Sequence, residues 1–287
     1  MEVLQIDVVV PSGRSALVSI SPDAQVCDLQ IAAQKELKLG FLRLTCDGQC
    51  LEPHHLVRHV LKDGDSVLAI ARPALLVSHN QGFSLFVSNG ACISWGESFD
   101  SHVDFYTNVE QIQTTARACA AVLEDGKVVT WGDLDHGGDI TSIEALQRGA
   151  GTTRRIQSTT AAFAAIQGDA TVVAWGDPKF GGDARKVQHQ LVEVQHIQAT
   201  SGAFAAIRSD GTVITWGAQD LGGNSSRVEH QLVSVRAIQA SSGAFAAIKY
   251  DGSVVTWGYR IYGGDSSAVQ ENLIQVQEIQ STSHAFA

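Results

Sequence analysis

Hydrophobic and polar positions follow two different patterns along this chain of 287 residues. Near the amino terminus they alternate, so that Leu4, Ile6, Val8 and Val10 share one face of a predicted strand. Later in the chain short apolar runs without alternation recur, as at residues 203–207, and such runs are typical of strands that are buried on both faces. The pattern therefore predicts a mainly β protein with two kinds of sheet.

The first segment, residues 1–73, is predicted to be a small α+β domain. A turn at residues 11–14 separates the first strand from a second strand at residues 15–20. A helix starting near Ser21-Pro22-Asp23 and ending near Gly40 is predicted next, because apolar residues three or four positions apart form one stripe: Val26, Leu29, Ala33 and Leu37. Short strands follow at residues 42–46 and 66–70, with three core candidates between them: Leu51, Leu56 and Val60.

This order of elements resembles the ubiquitin-like β-grasp fold over essentially the whole segment. The residues that carry the resemblance are Arg43-Leu44, Asp47-Gly48-Gln49, Leu51-Glu52 and the run at residues 61–67. Thr45 stands at ubiquitin's central exposed apolar position, Gln49 replaces its main chain-linking lysine, and Ala71-Arg72-Pro73 replaces its conjugating end. The resemblance implies a built-in docking module that is not conjugated, with four candidate protein-binding residues: Arg43, Thr45, Gln49 and Ile70.

Cysteines and histidines cluster at Cys46, Cys50, His54, His55 and His59, and thiolate and imidazole are the ligands that zinc prefers. Their spacing matches no usual zinc module, Cys46 is expected to point into the small core, and surface histidines are ordinary. We therefore predict no metal site. The five cysteines of the chain are odd in number and do not recur with any repeat, which argues against a disulfide framework.

The later segment, residues 74–287, is a repeat array. A tract ending in Asp-Gly-x-Val-x-Thr-Trp-Gly recurs, and all five tryptophans lie in its copies, at Trp95, Trp131, Trp175, Trp216 and Trp257. Successive tryptophans are 36, 44, 41 and 41 residues apart, a period typical of stacked units such as propeller blades. We predict that these tryptophans form the blade cores and are not ligand cages.

Each repeat unit is predicted to contain a hairpin, a glycine pair, a short helix and an inner strand. Tight reversals are expected at the Asp-Gly positions Gly126, Gly211 and Gly252, whereas the third copy has Ala170. The paired glycines, as at Gly181-Gly182, precede an acid or Asn that looks like a helix cap, and a fourth outer strand is the competing assignment for the helix. The inner strand carries a recurrent Ile-Gln, whose glutamine either lines a central channel or satisfies buried backbone groups: Gln113, Gln157, Gln198, Gln239 and Gln280.

These copies resemble the regulator of chromosome condensation repeats, over about residues 75–287. The resemblance implies a β-propeller, usually of seven blades in that family. Five full units and a partial sixth, which begins near Phe286, are present. We therefore expect an open arc, or a fragment of a longer product, whose last strand invites pairing with another chain. The combination with a ubiquitin-like segment is similar to the propeller regions of large HECT-type ubiquitin ligases.

Composition and motif content limit the classes of function that the sequence allows. A net charge of −10 opposes binding to nucleic acid or to an anionic membrane, and without an apolar span or signal core we predict an intracellular protein, cytoplasmic or nuclear. No nucleophile elbow, phosphate loop or metal-binding pair is present, so we predict no enzyme activity, no catalytic residue and no cofactor.

The leading hypothesis is an adaptor in which the ubiquitin-like module recruits ubiquitin or proteasome machinery and the propeller grips a protein client. The alternative is a guanine-nucleotide exchange factor for a small GTPase, as in the founding member of the repeat family. A third class, an enzyme inhibitor resembling a bacterial β-lactamase inhibitor with related repeats, would require secretion, for which the sequence has no signal.

Overall fold

The computed structural model describes residues 3–39, 42–51, 55–71, 75–79, 82–86, 91–96, 99–105, 109–123, 125–141 and 152–287, with residues 71–105 described by their backbone alone. The chain divides into two compact units, Met1–Ser78 with Gly82–Val109 and His79–Gln81 with Glu110–Ala287. The predicted domain boundary between residues 73 and 74 lies outside the described residues and stays a prediction. In the part of the chain that the structure describes, no helix is long and apolar enough to cross a membrane.

The amino-terminal fold is one five-stranded sheet with two helices, and it contains the four strands and the one helix that the sequence predicted together with a short strand and a short helix that it did not. Its elements are β1 (Leu4–Val9), β2 (Ser15–Ile20), α1 (Val26–Leu37), β3 (Leu42–Cys46), β4 (Gln49–Cys50), α2 (Val57–Val60) and β5 (Ser66–Ala71). The strand order is β2-β1-β5-β3-β4, with β1 and β5 parallel and β3 antiparallel to both β4 and β5. This order, with the helix inserted after the first hairpin, is the β-grasp arrangement.

The core of this fold lies between α1 and one face of the sheet. The predicted helix stripe is buried, together with Ile6 and Val8 from β1. The helix begins later than predicted, at Val26, because the Asp28 carboxylate accepts a hydrogen bond from the Gln25 N–H at 2.9 Å and satisfies the first turn. Residues 21–24 form a turn instead, with the Ala24 N–H donating to the Ser21 carbonyl at 3.0 Å.

The repeat region consists of consecutive antiparallel sheets. In the described residues one four-stranded sheet comes first, β6 (Leu75–His79), β7 (Gly82–Phe86), β8 (Ala91–Gly96) and β9 (Phe99–Phe105). Four three-stranded sheets follow: β10 (Val109–Thr114), β11 (Ala118–Leu123) and β12 (Val128–Gly132); β13 (Thr153–Ser158), β14 (Ala162–Gln167) and β15 (Val172–Gly176); β16 (Val194–Ala199), β17 (Ala203–Arg208) and β18 (Val213–Gly217); β19 (Val235–Ala240), β20 (Ala244–Lys249) and β21 (Val254–Gly258). These blade-like sheets confirm the predicted mainly β, propeller-like array.

After the three-stranded sheets the described connections contain single 3-10 turns, as the predicted short helices required, whereas the first sheet has a fourth outer strand, β9, which was the competing assignment. One set precedes each glycine pair, at Leu134–His136, Pro178–Phe180, Gln219–Leu221 and Arg260–Tyr262, and a second set follows at Gln188–Gln190, Glu229–Gln231 and Gln270–Asn272. The residue after each glycine pair does not cap these helices. Its side chain closes a local turn instead, as where Asp183 Oδ1 accepts from the Arg185 N–H at 3.0 Å.

The hairpin loops show why the Asp-Gly pairs recur. Gly126, Gly211 and Gly252 have φ of 78°, 77° and 79°, the left-handed region in which a side chain is strained. The preceding acid fixes each loop, and Asp210 Oδ1 accepts from the Thr212 N–H at 2.9 Å. At the equivalent position of the third copy Ala170 adopts φ 65°, so the loop keeps its shape without the glycine.

The last residues begin a further hairpin. Ser281 and Phe286 form an isolated antiparallel bridge, and the Gln280 N–H donates to the Ala287 carbonyl at 2.8 Å. A Cβ placed on Gly263 would lie 2.7 Å from Phe286 Cδ2, as one on Gly222 would lie 2.6 Å from Phe245 Cδ2. The partial sixth copy therefore packs on the preceding glycine pair as a full unit does.

Candidate protein-interaction surfaces

The outer face of the amino-terminal sheet carries three of the four predicted binding residues. Strand alternation buries Leu42, Leu44, Val67 and Ala69 against the helix and places their neighbours on the opposite face. There Arg43 pairs with Ile70 and Thr45 pairs with Leu68 across β3 and β5. Leu68 and Ile70 are 41% and 39% exposed. We call Arg43, Thr45, Leu68 and Ile70 the outer sheet patch.

Hydrogen bonds fix the polar members of this patch. Arg43 Nε donates to Cys50 Sγ at 2.8 Å, and Thr45 Oγ1 donates to the Leu68 carbonyl at 3.4 Å. The Arg43 side chain therefore reaches along the sheet towards β4, which lies on the opposite side of β3 from β5 and Ile70. The patch is an apolar pair with a cation and a hydroxyl at its edge.

Gln49, the fourth predicted residue, is not brought into the patch. It is exposed, but the β3–β4 register pairs it with Cys46, whose side chain packs against the core. Residues directly opposite each other on antiparallel strands share a face, so Gln49 lies on the other side of the sheet from Thr45. Sequence reasoning missed Leu68, although its two-residue spacing from Ile70 is the signal that would have found it.

The cysteine and histidine cluster is dispersed. Cys50 Sγ is bonded to Arg43, Cys46 lies at the core edge, and His54 is outside the described residues. Partial burial and the nearby Asp47 and Asp65 carboxylates raise the pKa of the Cys46 thiol, which keeps it protonated. Among the residues that the structure describes, no group of three or more His, Cys, Asp and Glu side chains could hold a metal ion.

The repeat tryptophans lie in the sheet cores. Trp131, Trp175, Trp216 and Trp257 are buried, and the Trp95 side chain is outside the described part. The indole Nε1 of Trp175 donates to the Gly137 carbonyl of the preceding unit at 3.1 Å, and Trp216 and Trp257 repeat this bond to Gly181 and Gly222, both at 3.0 Å. Each indole also stacks on the phenylalanine of its own hairpin with ring centroids 5.2 Å apart. Trp175, Trp216 and Trp257 therefore hold adjacent units together and are almost completely buried.

A second surface lies along the inner strands. The strands β13, β16 and β19 line a cavity of about 280 Å³, and we call it the inner-strand groove. Gln157, Gln198 and Gln239 recur at equivalent positions of its lining, as do Arg155 and His196, and Arg236 lies one position before their equivalent, Ala237. Of the recurrent glutamines, Gln157, Gln198 and Gln239 are half-buried and line the groove, whereas Gln280 is exposed.

Solved structures are similar to the two parts of the chain separately. The ubiquitin-like domain of Plasmodium falciparum Dsk2 is 22% identical, with 25% of this chain and 100% of that chain covered and a TM-score of 0.24. Caldiarchaeum subterraneum ubiquitin is 25% identical, with 25% and 96% covered and a TM-score of 0.23. Yeast RCC1 (Prp20), solved bound to Kap60, is 13% identical, with 73% of this chain and 66% of that chain covered and a TM-score of 0.47. No protein-family model and no curated protein matches the chain.

Proposed function

We propose that this chain is a non-enzymatic adaptor whose ubiquitin-like domain docks on the ubiquitin–proteasome machinery while the repeat array binds a protein client. The observation that carries the proposal is the outer sheet patch, where Leu68 and Ile70 remain 41% and 39% exposed beside Arg43. The other face of the same sheet is committed to the core. An exposed apolar pair with a polar rim is the composition of a protein interface.

The patch is suited to weak, reversible docking. Two half-exposed aliphatic side chains contribute about 1–2 kcal/mol when a partner covers them, on the usual scale of burial free energy. The arginine adds orientation through its planar donors. An adaptor that must deliver and release clients requires an interface of this modest strength.

The structural use of the distinctive residues in the repeat array supports the second part of the proposal, the binding of a protein client. Its distinctive residues, the tryptophans and paired glycines, are used for contacts between units, and its repeated acids Asp183, Asp210 and Asp265 accept hydrogen bonds from nearby main-chain groups. We therefore assign the chain a binding role and no reaction. We propose that this role is the substrate-binding part of a ubiquitin ligase in the cytoplasm or nucleus, as the HECT-type resemblance suggests.

Paired charge substitutions test the docking half. Leu68→Asp with Ile70→Asp should weaken binding of the full chain to immobilised, purified 26S proteasomes at least tenfold, because two carboxylates would have to be buried. Ile31→Asp is the matched control, since Ile31 is 56% exposed on α1, and binding should stay within twofold. Circular dichroism verifies that each variant folds. The proposal fails when the wild-type chain does not bind or when both variants behave alike.

A further inference from the structure

Each inner strand of the groove contains a β-bulge. The register against the neighbouring strand shifts between Thr153 and Arg155 in β13, and the shift recurs one period later in β16 and in β19. A bulge sets two consecutive residues against one on the partner strand and so re-aims their side chains. The bulge residues are Arg154-Arg155, Gln195-His196 and Arg236-Ala237. One basic residue of each bulge lines the groove, the second of the pair in β13 and β16 and the first in β19.

The strand that precedes the groove shows how such an edge can be completed. Gln111, on β10, lies two residues before the recurrent inner-strand glutamine, as Arg155 does one unit later. Its Nε2 donates to the Ile156 carbonyl at 2.7 Å, and the Ile156 N–H donates back to Gln111 Oε1 at 3.1 Å. One carboxamide thus satisfies both main-chain groups on the open edge of β13.

The next two inner strands, β16 and β19, have the same kind of open edge, but neither has a glutamine at the position equivalent to Gln111. Ile197 and Ile238 pair with Ala206 and Ala247 as Ile156 pairs with Ala165, so their N–H and C=O groups also face away from their own sheets. The residues that take the place of Gln111 are Arg155 and His196, and arginine has no acceptor atom. Among the described residues, no side chain or main-chain group bonds these outward groups of Ile197 and Ile238.

The groove is also a basic concavity in an acidic chain. Arg155, His196 and Arg236 line it, and no Asp or Glu is among its lining residues, although the net charge of the whole chain is −10. Arg236 is held in place because one guanidinium nitrogen donates to the Val276 carbonyl at 3.0 Å. Charges of one sign in a concave site attract ligands of the opposite sign.

We propose that the inner-strand groove binds an extended acidic peptide of the client protein. Glutamine or asparagine carboxamides of the peptide complete the edges at Ile197 and Ile238, as Gln111 completes the edge at Ile156. The carboxylates of the peptide pair with Arg155 and Arg236 and accept a hydrogen bond from the His196 imidazole. A cavity of about 280 Å³ accommodates a few side chains of a strand and no folded domain. Side-chain carboxamides that can bond both main-chain groups of one residue, as Gln111 does, belong to a peptide, which favours a peptide over a nucleic acid as the occupant. This inference rests on the proposed client-binding role of the repeats.

The probe is an acetylated and amidated octapeptide of alternating glutamate and glutamine, labelled with fluorescein and titrated with the full chain at pH 7.5. Anisotropy should show saturable binding. An octapeptide of alternating lysine and glutamine should bind at least tenfold more weakly, since its charges repel the arginines. An octapeptide of alternating glutamate and alanine should bind more weakly than the probe, since it lacks the carboxamides. Equal binding of the lysine peptide, or tighter binding of a thymidine octanucleotide, would overturn the proposal.

Two substitutions test whether a glutamine side chain of the chain itself can occupy the open edges of β16 and β19 as Gln111 occupies that of β13. Arg155→Gln and His196→Gln place a carboxamide at the equivalent positions, where it should bond Ile197 and Ile238 from within the chain and exclude the peptide. Each should weaken binding of the glutamate–glutamine probe at least tenfold without lowering the Tm. Lys186→Gln removes a charge at an exposed position outside the groove and should leave binding within twofold.

Amide hydrogen exchange distinguishes hydrogen bonding at the open strand edge from weaker peptide binding that results only from the loss of a charge. The Ile238 N–H should exchange more slowly in the free His196→Gln variant, and in the wild type when the probe is added. Unchanged exchange in both samples, or unaltered probe binding by both variants, contradicts the proposal. Proteasome binding is proposed for the outer sheet patch and peptide binding for the inner-strand groove. A failure of one proposal can therefore be distinguished from a failure of the other.

Discussion

The two folds of this chain build their cores in different ways. In the amino-terminal fold the members of the core cluster, from Ile6 to Ala69, lie in or directly beside the strands and helices of one sheet. In the repeats each core cluster takes residues from two successive sheets, as where Ala164 and Ile166 of β14 pack with Phe204 and Trp216 of the next unit. A unit without its neighbour therefore lacks half of its core. The first fold is self-sufficient, whereas stability in the array belongs to the junctions.

Main-chain hydrogen bonds also join successive units at these junctions. The Thr160 N–H donates to the Ser201 carbonyl at 2.9 Å, and the Ser201 N–H donates to the Ser242 carbonyl at 2.9 Å. The glycine pairs allow the close approach, since a Cβ on Gly181 would lie 2.7 Å from Phe204 Cδ2 of the following unit. Alternating and continuous apolar patterns in the sequence thus correspond to one-sided and two-sided burial of the strands.

The largest expected effect comes from emptying one core of each kind. Phe204→Ala should cost about 3–5 kcal/mol of unfolding free energy and Leu29→Ala about 2–5 kcal/mol, because both side chains are fully buried. Four of the five tryptophans, all except Trp95, lie in the compact unit that contains Glu110–Ala287, so indole fluorescence follows mainly that unit. In urea, Phe204→Ala should shift that transition and Leu29→Ala should leave it in place. A common shift in both variants would show that the two cores are not separate.

A smaller effect is expected at the hairpin loop that lacks its glycine. Ala170→Gly should stabilise the array by roughly 1 kcal/mol, because φ 65° strains an alanine and suits a glycine. Ala164→Gly is the matched control, since Ala164 lies buried in β14 and its replacement should destabilise. The urea midpoint of the fluorescence transition measures both. Destabilisation by Ala170→Gly would show that the loop does not need a left-handed residue.

The smallest expected effect is on pH dependence. The hydrogen bond from the Arg185 side chain lowers the pKa of Asp183 from 3.8 to about 2, so the folded state favours the carboxylate. This contribution is present above the unfolded pKa and is lost as the pH falls from about 4 towards 2. It should remain below about 1 kcal/mol, because the ion pair is largely exposed.

Asp183→Asn should therefore lower the Tm slightly at pH 6 and not at pH 2. Asparagine preserves the local turn, as Asn224 does at the equivalent position, where its Oδ1 accepts from the Ser226 N–H at 3.0 Å. A Tm difference that persists unchanged at pH 2 would exclude the carboxylate as its cause.

Sequence reasoning found what repeats locally and missed what depends on distant pairing. Short motifs predicted the repeat units, their Asp-Gly reversals and their inner strands, because each unit carries these motifs in its own sequence. The face of Gln49 and the bulge at Arg155 depend on register between strands, which no single segment encodes. The bond between Gln111 and Ile156 joins residues 45 positions apart, so only the assembled sheets could show it.

Native-state hydrogen exchange of the Phe204→Ala variant tests the shared cores most directly. Phe204 belongs to β17, yet the account predicts faster exchange in β14 of the preceding unit as well as in β16–β18, with no change in β1–β5. Faster exchange confined to β16–β18 would contradict it, because each sheet would then hold its core alone.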